Sequence, residues 1–102
     1  MLNINFEFRK GIFFIRLFGN LADNTYKNKV LYLRKIIKDN RFKYVVLNTN
    51  YLKNISLDGL NYLTKNLLTI KNTNIIICDK TKIIKTLLNG SVVTIEDELE
   101  VL

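Results

Sequence analysis

The amino-acid sequence predicts an α/β fold with a mixed, mostly parallel sheet of four or five strands and crossover helices. Two segments, YVVLN at 44–48 and NIIIC at 74–78, are almost continuously apolar, which is typical of interior strands covered on both faces. Segments in which apolar residues recur with the period of a helix precede, separate and follow these two strands. At the N-terminus, apolar and polar residues alternate. With 102 residues, 48% of them hydrophobic, the chain can form one core, so we expect a single domain over residues 1–102.

The first predicted elements are the two strands of a β-hairpin. Residues 4–9 alternate apolar with polar side chains, the pattern of a half-buried strand. Lys10-Gly11 offers a turn, and IFFIRLF at 12–18 forms the second strand.

Two amphipathic helices and a shorter third helix are predicted to follow. The first spans residues 25–38, the second carries a stripe that begins at Leu60, and Asn89-Gly90 ends the third. The apolar stripes are, in chain order, Tyr26, Val30, Leu33 and Ile37; Leu60, Leu63, Leu67 and Ile70; and Ile83, Ile84, Leu87 and Leu88. A last strand is predicted from Val92 to Ile95, before an acidic tail at residues 96–102.

The predicted direction of the strands indicates where a functional site would lie. In an open sheet of parallel strands, the loops that leave the carboxyl ends emerge at one edge, where such sheets usually bind their partners. We expect three segments to meet there: Gly19–Asn24, Thr49–Asp58 and Asp79–Thr81.

The composition favours an intracellular protein with a basic body. The N-terminus lacks the apolar run of a signal peptide, and the single cysteine, Cys78, agrees with a reducing compartment, so we expect a cytoplasmic protein without membrane spans. Residues 1–95 contain all 16 Lys and Arg but only five of the nine Asp and Glu, a formal charge of +11. Such a charge makes a nucleic-acid-binding module one alternative function.

The residue types argue against catalysis, a metal site and a cofactor. Histidine is absent, which removes the usual general base and the usual metal ligand. Three aspartates, Asp23, Asp58 and Asp79, could meet at the carboxyl edge, but each lies at a helix start, where Asp is favoured as a cap. The four glycines are isolated, so no phosphate-binding glycine motif can be written.

The stretch from Asn54 to Leu63, NISLDGLNYL, contains the start of the second helix. Ser56 is suited to be the N-cap, Asp58 to the first turn, and Gly59 to a close approach between the helix and a neighbouring segment. Leu57 has no such local role. It lies toward one edge of the apolar stripe, beside the loop, where an aliphatic side chain is suited to contact another protein.

These residues give the chain a resemblance to the STAS domains of anti-sigma factor antagonists. That family commonly shows L-x-G-x-L-D after its first strands, matched here by Leu17, Gly19 and Leu21 with the carboxylate one place later at Asp23. It also shows I-D-S-S-G-L at the start of the second helix, where this chain reads Ile55, Ser56, Leu57, Asp58, Gly59 and Leu60.

The resemblance implies a phosphorylation switch that this chain has lost. The phosphoacceptor of the family is the first serine of the motif, and the matching position is Leu57, which has no hydroxyl group. Ser56 is an alternative phosphorylation site, where a phosphate would meet the helix N-terminus but would be repelled by Asp58. We favour a domain that is not phosphorylated.

The sequence thus predicts a non-enzymatic regulatory domain that binds a protein, by resemblance an anti-sigma factor, a serine kinase or a related regulator. The predicted contact residues are Asn20, Leu21, Asp23, Asn24, Asn54, Ser56, Leu57, Asp58 and Asn61. A nucleic-acid-binding module and a scaffold that self-associates through the hairpin edge remain alternatives. We expect a monomer or a weak homodimer.

Overall fold

Five strands form one sheet in the order β1-β2-β3-β4-β5, in a computed structural model that describes residues 1–102. The elements are β1 (Leu2–Arg9), β2 (Ile12–Leu21), α1 (Tyr26–Asn40), β3 (Tyr44–Ile55), α2 (Leu57–Leu67), β4 (Asn74–Cys78), α3 (Ile83–Leu87), β5 (Thr94–Ile95) and a 3₁₀ helix (Glu98–Val101). Strands β1 and β2 are antiparallel, and every other pair is parallel. The predicted α/β class and mixed sheet are confirmed.

The hairpin forms at the predicted turn. Arg9 pairs with Ile12, so Lys10 and Gly11 are the only residues between the strands, and their φ angles are 52° and 80°. Two central residues with positive φ define the type of tight turn that matches the twist of the two strands.

The main core lies between one face of the sheet and the helices. The predicted stripe of α1, Tyr26, Val30, Leu33 and Ile37, is buried against inward-facing side chains of β2 and β3 and against α2. In α2 the buried side chains are Leu60, Leu63 and Leu67, again as predicted. Helix α3 contributes Ile84 to this core, whereas Ile83 and Leu87 are exposed, which contradicts the expectation that both belong to a buried stripe. A helix of five residues presents too little of one face to bury all of them.

The second face of the sheet has a smaller apolar cluster under the C-terminal segment. Phe14, Val46 and Cys78 are buried there, and Val101 of the 3₁₀ helix packs against them. The acidic residues 96–102 are therefore part of the fold, which corrects their prediction as a tail. The last strand is also shorter than predicted, since only Thr94 and Ile95 pair with β4.

An ion pair fixes this C-terminal segment. The Arg16 guanidinium donates to the Glu98 carboxylate at 2.6 and 2.9 Å, and the Asn48 side-chain amide donates to it at 2.6 Å. The hydrogen bonds from Arg16 and Asn48 hold the pKa of Glu98 below its ordinary value. The hydrogen bonds that Arg16 donates to Glu98 and Glu7 raise the pKa of Arg16. Asp97 and Glu100 form a capping box for the 3₁₀ helix.

Strands β2 and β3 continue past their predicted ends. They were predicted over 12–18 and 44–48, but they run together to Leu21 and Ile55. The register shifts between Arg16 and Phe18 and again between Gly19 and Asn20, and these irregularities interrupt the alternation that a strand pattern requires. Beyond Asn48, β3 pairs with β2 alone. No helix has the combination of length and apolar character that a membrane span requires.

Candidate functional site

The carboxyl ends of β2 and β3 meet at one rim of the sheet. Asn20 pairs with Asn54 and Leu21 with Ile55, and the backbone N–H of Ser56 donates to the Leu21 carbonyl oxygen at 3.4 Å. The turn near residue 20 and the start of α2 are therefore adjacent, as predicted from the parallel strands. We call this region, residues 20–24 with residues 54–61, the rim.

Ser56 and Gly59 fix the start of α2 against β2. The Ser56 hydroxyl accepts a hydrogen bond from the Gly59 N–H at 2.9 Å, so Ser56 is the N-cap, as predicted. A Cβ atom at Gly59 would lie 1.8 Å from the Leu21 carbonyl oxygen. Only glycine permits this close approach, and the predicted role of Gly59 is confirmed.

Leu57 begins α2 and projects from the core. Its side chain is 52% exposed, whereas Leu60 is fully buried, only one turn further along the same helix. Asp58 in the first turn and Asn61 in the second are exposed as well. Leu57 is thus an exposed aliphatic side chain with polar neighbours. Its helix end is fixed by the Ser56 cap before it and by the contact of Gly59 with β2 after it.

The turn after β2 is built by two of the predicted contact residues. The Asn20 side-chain oxygen accepts from the N–H groups of Ala22 and Asp23, at 2.7 and 3.2 Å. The Asp23 carboxylate accepts from the N–H and the hydroxyl of Thr25 and lies 3.5 Å from the N-terminal ammonium. The hydrogen bonds from Thr25 lower the pKa of Asp23. Asn24 and Asn54 are exposed at the rim.

Leu21 corrects the predicted set of contact residues. Its side chain is fully buried in the main core, and its backbone carbonyl oxygen accepts a hydrogen bond from the N–H of Ser56, the N-cap of α2. A partner at the rim cannot reach that side chain. Because β2 continues through Leu21, the side chains of Asn20 and Leu21 lie on opposite faces of the strand, and Leu21 faces the helices.

A shallow cavity of about 180 Å³ beside the rim was not predicted. It lies between the part of β3 that extends beyond β4 and the start of α3. Its lining consists of Thr49, Asn50, Leu52, Ile55, Asp79, Lys80, Thr81 and Ile83. The Asn50 side-chain oxygen accepts from the Lys80 N–H at 2.8 Å and joins the two walls. The third predicted segment, Asp79–Thr81, therefore does reach the carboxyl edge. Ile83 is 48% exposed there. The sequence contained a signal for this exposure, because two consecutive isoleucines in a five-residue helix cannot both face the core.

Asp79 and Cys78 have structural roles at the end of β4. The buried Asp79 carboxylate accepts from the N–H groups of Ile84 and Lys85, at 3.2 and 2.9 Å, which is the capping predicted for it. No group of three or more His, Cys, Asp or Glu side chains is arranged so that it could hold a metal ion. Cys78 is fully buried, and burial, with a smaller contribution from the nearby Glu98, raises the pKa of its thiol to about 12. It is a packing residue, as predicted.

Comparisons with known proteins identify the fold. Neither the protein-family models nor the curated protein sequences contain a match. Among solved structures, the chain is similar to the anti-sigma factor antagonist SpoIIAA in its unphosphorylated form, with a TM-score of 0.70 and 13% sequence identity. The similarity covers 98% of this chain and 92% of the other. The chain therefore folds as a STAS-like domain, as its motifs predict.

Proposed function

We propose that this protein is a non-enzymatic regulatory domain, of the kind that anti-sigma factor antagonists represent, and that it binds a protein partner at the rim. The observation that supports this most directly is Leu57, half-exposed on a helix whose other leucines at Leu60, Leu63 and Leu67 are buried. The likeness to SpoIIAA, an anti-sigma factor antagonist, supports an anti-sigma factor or a related regulator as the class of partner.

The surroundings of Leu57 suit a protein contact. Interface residues that contribute most to affinity lie near the centre of a contact, surrounded by neighbours that exclude water. The backbone next to Leu57 is held by the Ser56 cap and by the contact of Gly59 with β2. Asn54, Asp58 and Asn61 provide an exposed polar border.

We further propose that the domain functions without a serine switch. Leu57 cannot accept a phosphate, and the Ser56 hydroxyl is already used twice. It accepts from the Gly59 N–H and donates to the Leu21 carbonyl oxygen at 3.3 Å. A phosphate at Ser56 would have no proton to donate to Leu21 and would add negative charge beside Asp58. Both effects favour the unmodified serine.

Replacement of Leu57 by aspartate tests the docking proposal. Leu57→Asp should abolish partner binding and shift Tm by no more than about 2 °C, because an exposed side chain contributes little to folding. The measurement is affinity purification of the native partner from cells, followed by pull-down with the purified partner and a thermal melt of the variant.

Leu31→Asp is the matched control. Leu31 is 46% exposed on α1, so its replacement adds the same charge at a similar depth outside the rim. This control should retain the partner. If Leu57→Asp also retains it, or if Leu57→Asp melts several degrees below Leu31→Asp, Leu57 is not the docking residue.

A further inference from the structure

We propose that a cleft at the end of the molecule opposite the rim binds a small polyphosphate anion. The cleft has a volume of about 700 Å³ and lies where α1 leads into β3 and α2 leads into β4. Its lining consists of Arg34, Ile37, Lys38, Arg41, Lys43, Thr69, Ile70, Lys71, Asn72 and Thr73. Small-molecule sites typically have volumes of roughly 300 to 1,000 Å³, and this cleft falls in that range.

The charges of the lining have one sign. Five of its ten residues are Lys or Arg, and none is Asp or Glu. The ion pairs of the molecule involve other cations, Arg16, Lys35 and the N-terminal ammonium, so none of the five is neutralised by a carboxylate. Nearly a third of the 16 basic side chains therefore share one concave surface without counter-charge.

Helix dipoles account for only a small part of this arrangement. The carboxyl-terminal ends of α1 and α2 both lie at the cleft, and each provides the equivalent of about half a negative charge. Together they offset about one of the five cations. The remaining positive charge is mutually repulsive, and a multivalent anion would neutralise it.

The loop from Lys71 to Thr73 adds neutral hydrogen-bond donors. The backbone N–H groups of Lys71 and Asn72, in the turn between Ile70 and Thr73, have no acceptor within the protein. Asn72 adopts a left-handed conformation, with φ of 62°. Consecutive free amides in such turns are a common feature of phosphate sites, because they donate to oxygen atoms without adding side-chain disorder.

The lining also distinguishes between classes of anion. Binding sites for single-stranded nucleic acid combine cations with aromatic side chains on which bases stack. No Phe, Tyr or Trp lines the cleft, and its floor consists of Ile37 and Ile70. Cations and amides around a compact volume are suited to a short chain of linked phosphates, without a requirement for a base.

The test is calorimetric titration with tripolyphosphate at low ionic strength. We expect one site per chain in the wild type and a loss of affinity of about tenfold in Arg41→Gly/Lys71→Gln, which removes two charged contacts. Arg41 has φ of 53°, so glycine is compatible with its backbone and the fold is retained. A thermal melt with and without tripolyphosphate gives a second readout, since a ligand that binds only the native state raises Tm.

Arg9→Gln/Lys10→Gly is the matched control. It removes the same number of charges, and Lys10 has nearly the same backbone conformation as Arg41, with φ of 52°, but it lies in the hairpin turn. The control should bind tripolyphosphate within about twofold of the wild type. An equal loss in both variants, or no binding at low salt, overturns the site. So does a single-stranded oligonucleotide that binds at the cleft and is not displaced by tripolyphosphate.

Discussion

Gly59 shows how one residue determines the geometry of the rim. The start of α2 approaches the Leu21 carbonyl oxygen so closely that no side chain can be placed between them. The same approach allows the Ser56 N–H and hydroxyl to reach that carbonyl group. The position of Leu57 follows from these contacts, since it is held between Ser56 and the first turn of the helix.

Replacement of Gly59 by alanine should move α2 away from β2. The added Cβ would overlap backbone rather than a flexible side chain, so we expect a loss of about 3 kcal/mol in the free energy of unfolding. Urea denaturation measures this loss. Gly90→Ala is the control, since its Cβ would meet no atom within 4 Å and only its φ of 74° would be strained, at a cost of about 1 kcal/mol. A smaller effect at Gly59 than at Gly90 would show that α2 adjusts without cost.

The 3₁₀ helix is the element whose position depends most on one polar contact. Its Glu98 side chain is only 14% exposed and is held by Arg16 and Asn48. Its apolar contacts are few, since only Val101 packs on the second face and Leu99 is exposed, and one further hydrogen bond, from the Asn50 side-chain amide to the Glu96 carbonyl oxygen at 2.8 Å, precedes the helix. We therefore assign the docking of this segment mainly to the ion pair.

The ion pair should make stability dependent on pH. The pKa of Glu98 is lower in the folded state than its ordinary value of 4.5, so its contribution is complete above that pH and is lost as the pH falls through the folded-state pKa. Glu98→Gln should lower the free energy of unfolding by about 1 to 2 kcal/mol at pH 7, and the difference from the wild type should disappear in acid. Urea denaturation at pH 7 and at about pH 3 measures both quantities.

Asp39→Asn supplies the control for this experiment. The Lys35–Asp39 pair is exposed on α1, with 58% of the Asp39 side chain accessible, and such pairs contribute little. We expect a change within about 0.5 kcal/mol at pH 7. A Glu98 variant no less stable than the Asp39 variant would show that the C-terminal segment docks without the ion pair.

At the scale of the whole molecule, the free edge of β1 is a surface at which a second copy of the chain would pair. β1 pairs only with β2, and Phe6 and Phe8 are exposed, features that could recruit a second copy. However, the Lys29 ammonium donates a hydrogen bond to the Leu2 carbonyl oxygen, and Phe8 stacks on Phe42 of the same chain. Both contacts make the edge a poorer template for strand pairing.

We therefore expect a monomer in dilute solution. Static light scattering should give a mass near 12.0 kDa at micromolar concentration. The high net charge of +7 adds repulsion between copies, so the mass should rise, if at all, only at high salt and high protein concentration. A stable dimer at micromolar concentration would instead favour the self-associating scaffold.

Local patterns predicted the elements that local interactions specify. The stripe of α1, the strand Asn74–Cys78 and the Ser56 cap each follow from residues close together in the sequence. The extensions of β2 and β3 were missed because bulges and asparagines interrupt the alternating pattern. Sequence alone could not locate the C-terminal segment either, because Arg16 and Glu98 are 82 positions apart.

The same distinction applies to the sites. The parallel strands predicted the rim, since chain direction alone brings residues 20 and 56 together. The basic cleft was not predicted, because Arg41 and Lys71 belong to separate connections and only the packed helices create the concave surface between them. The side chain of Leu21 was misplaced because its strand was predicted to end too early.

Strand β3 runs through the molecule from the cleft to the rim. Lys43 precedes its first residue, Tyr44, and Ser56 follows its last, Ile55. A small anion at one pole and a macromolecule at the other would consequently not compete for space, and a ternary complex is sterically accessible. The proposed anion and the proposed partner would then contact the same chain at once, with the central strand between them.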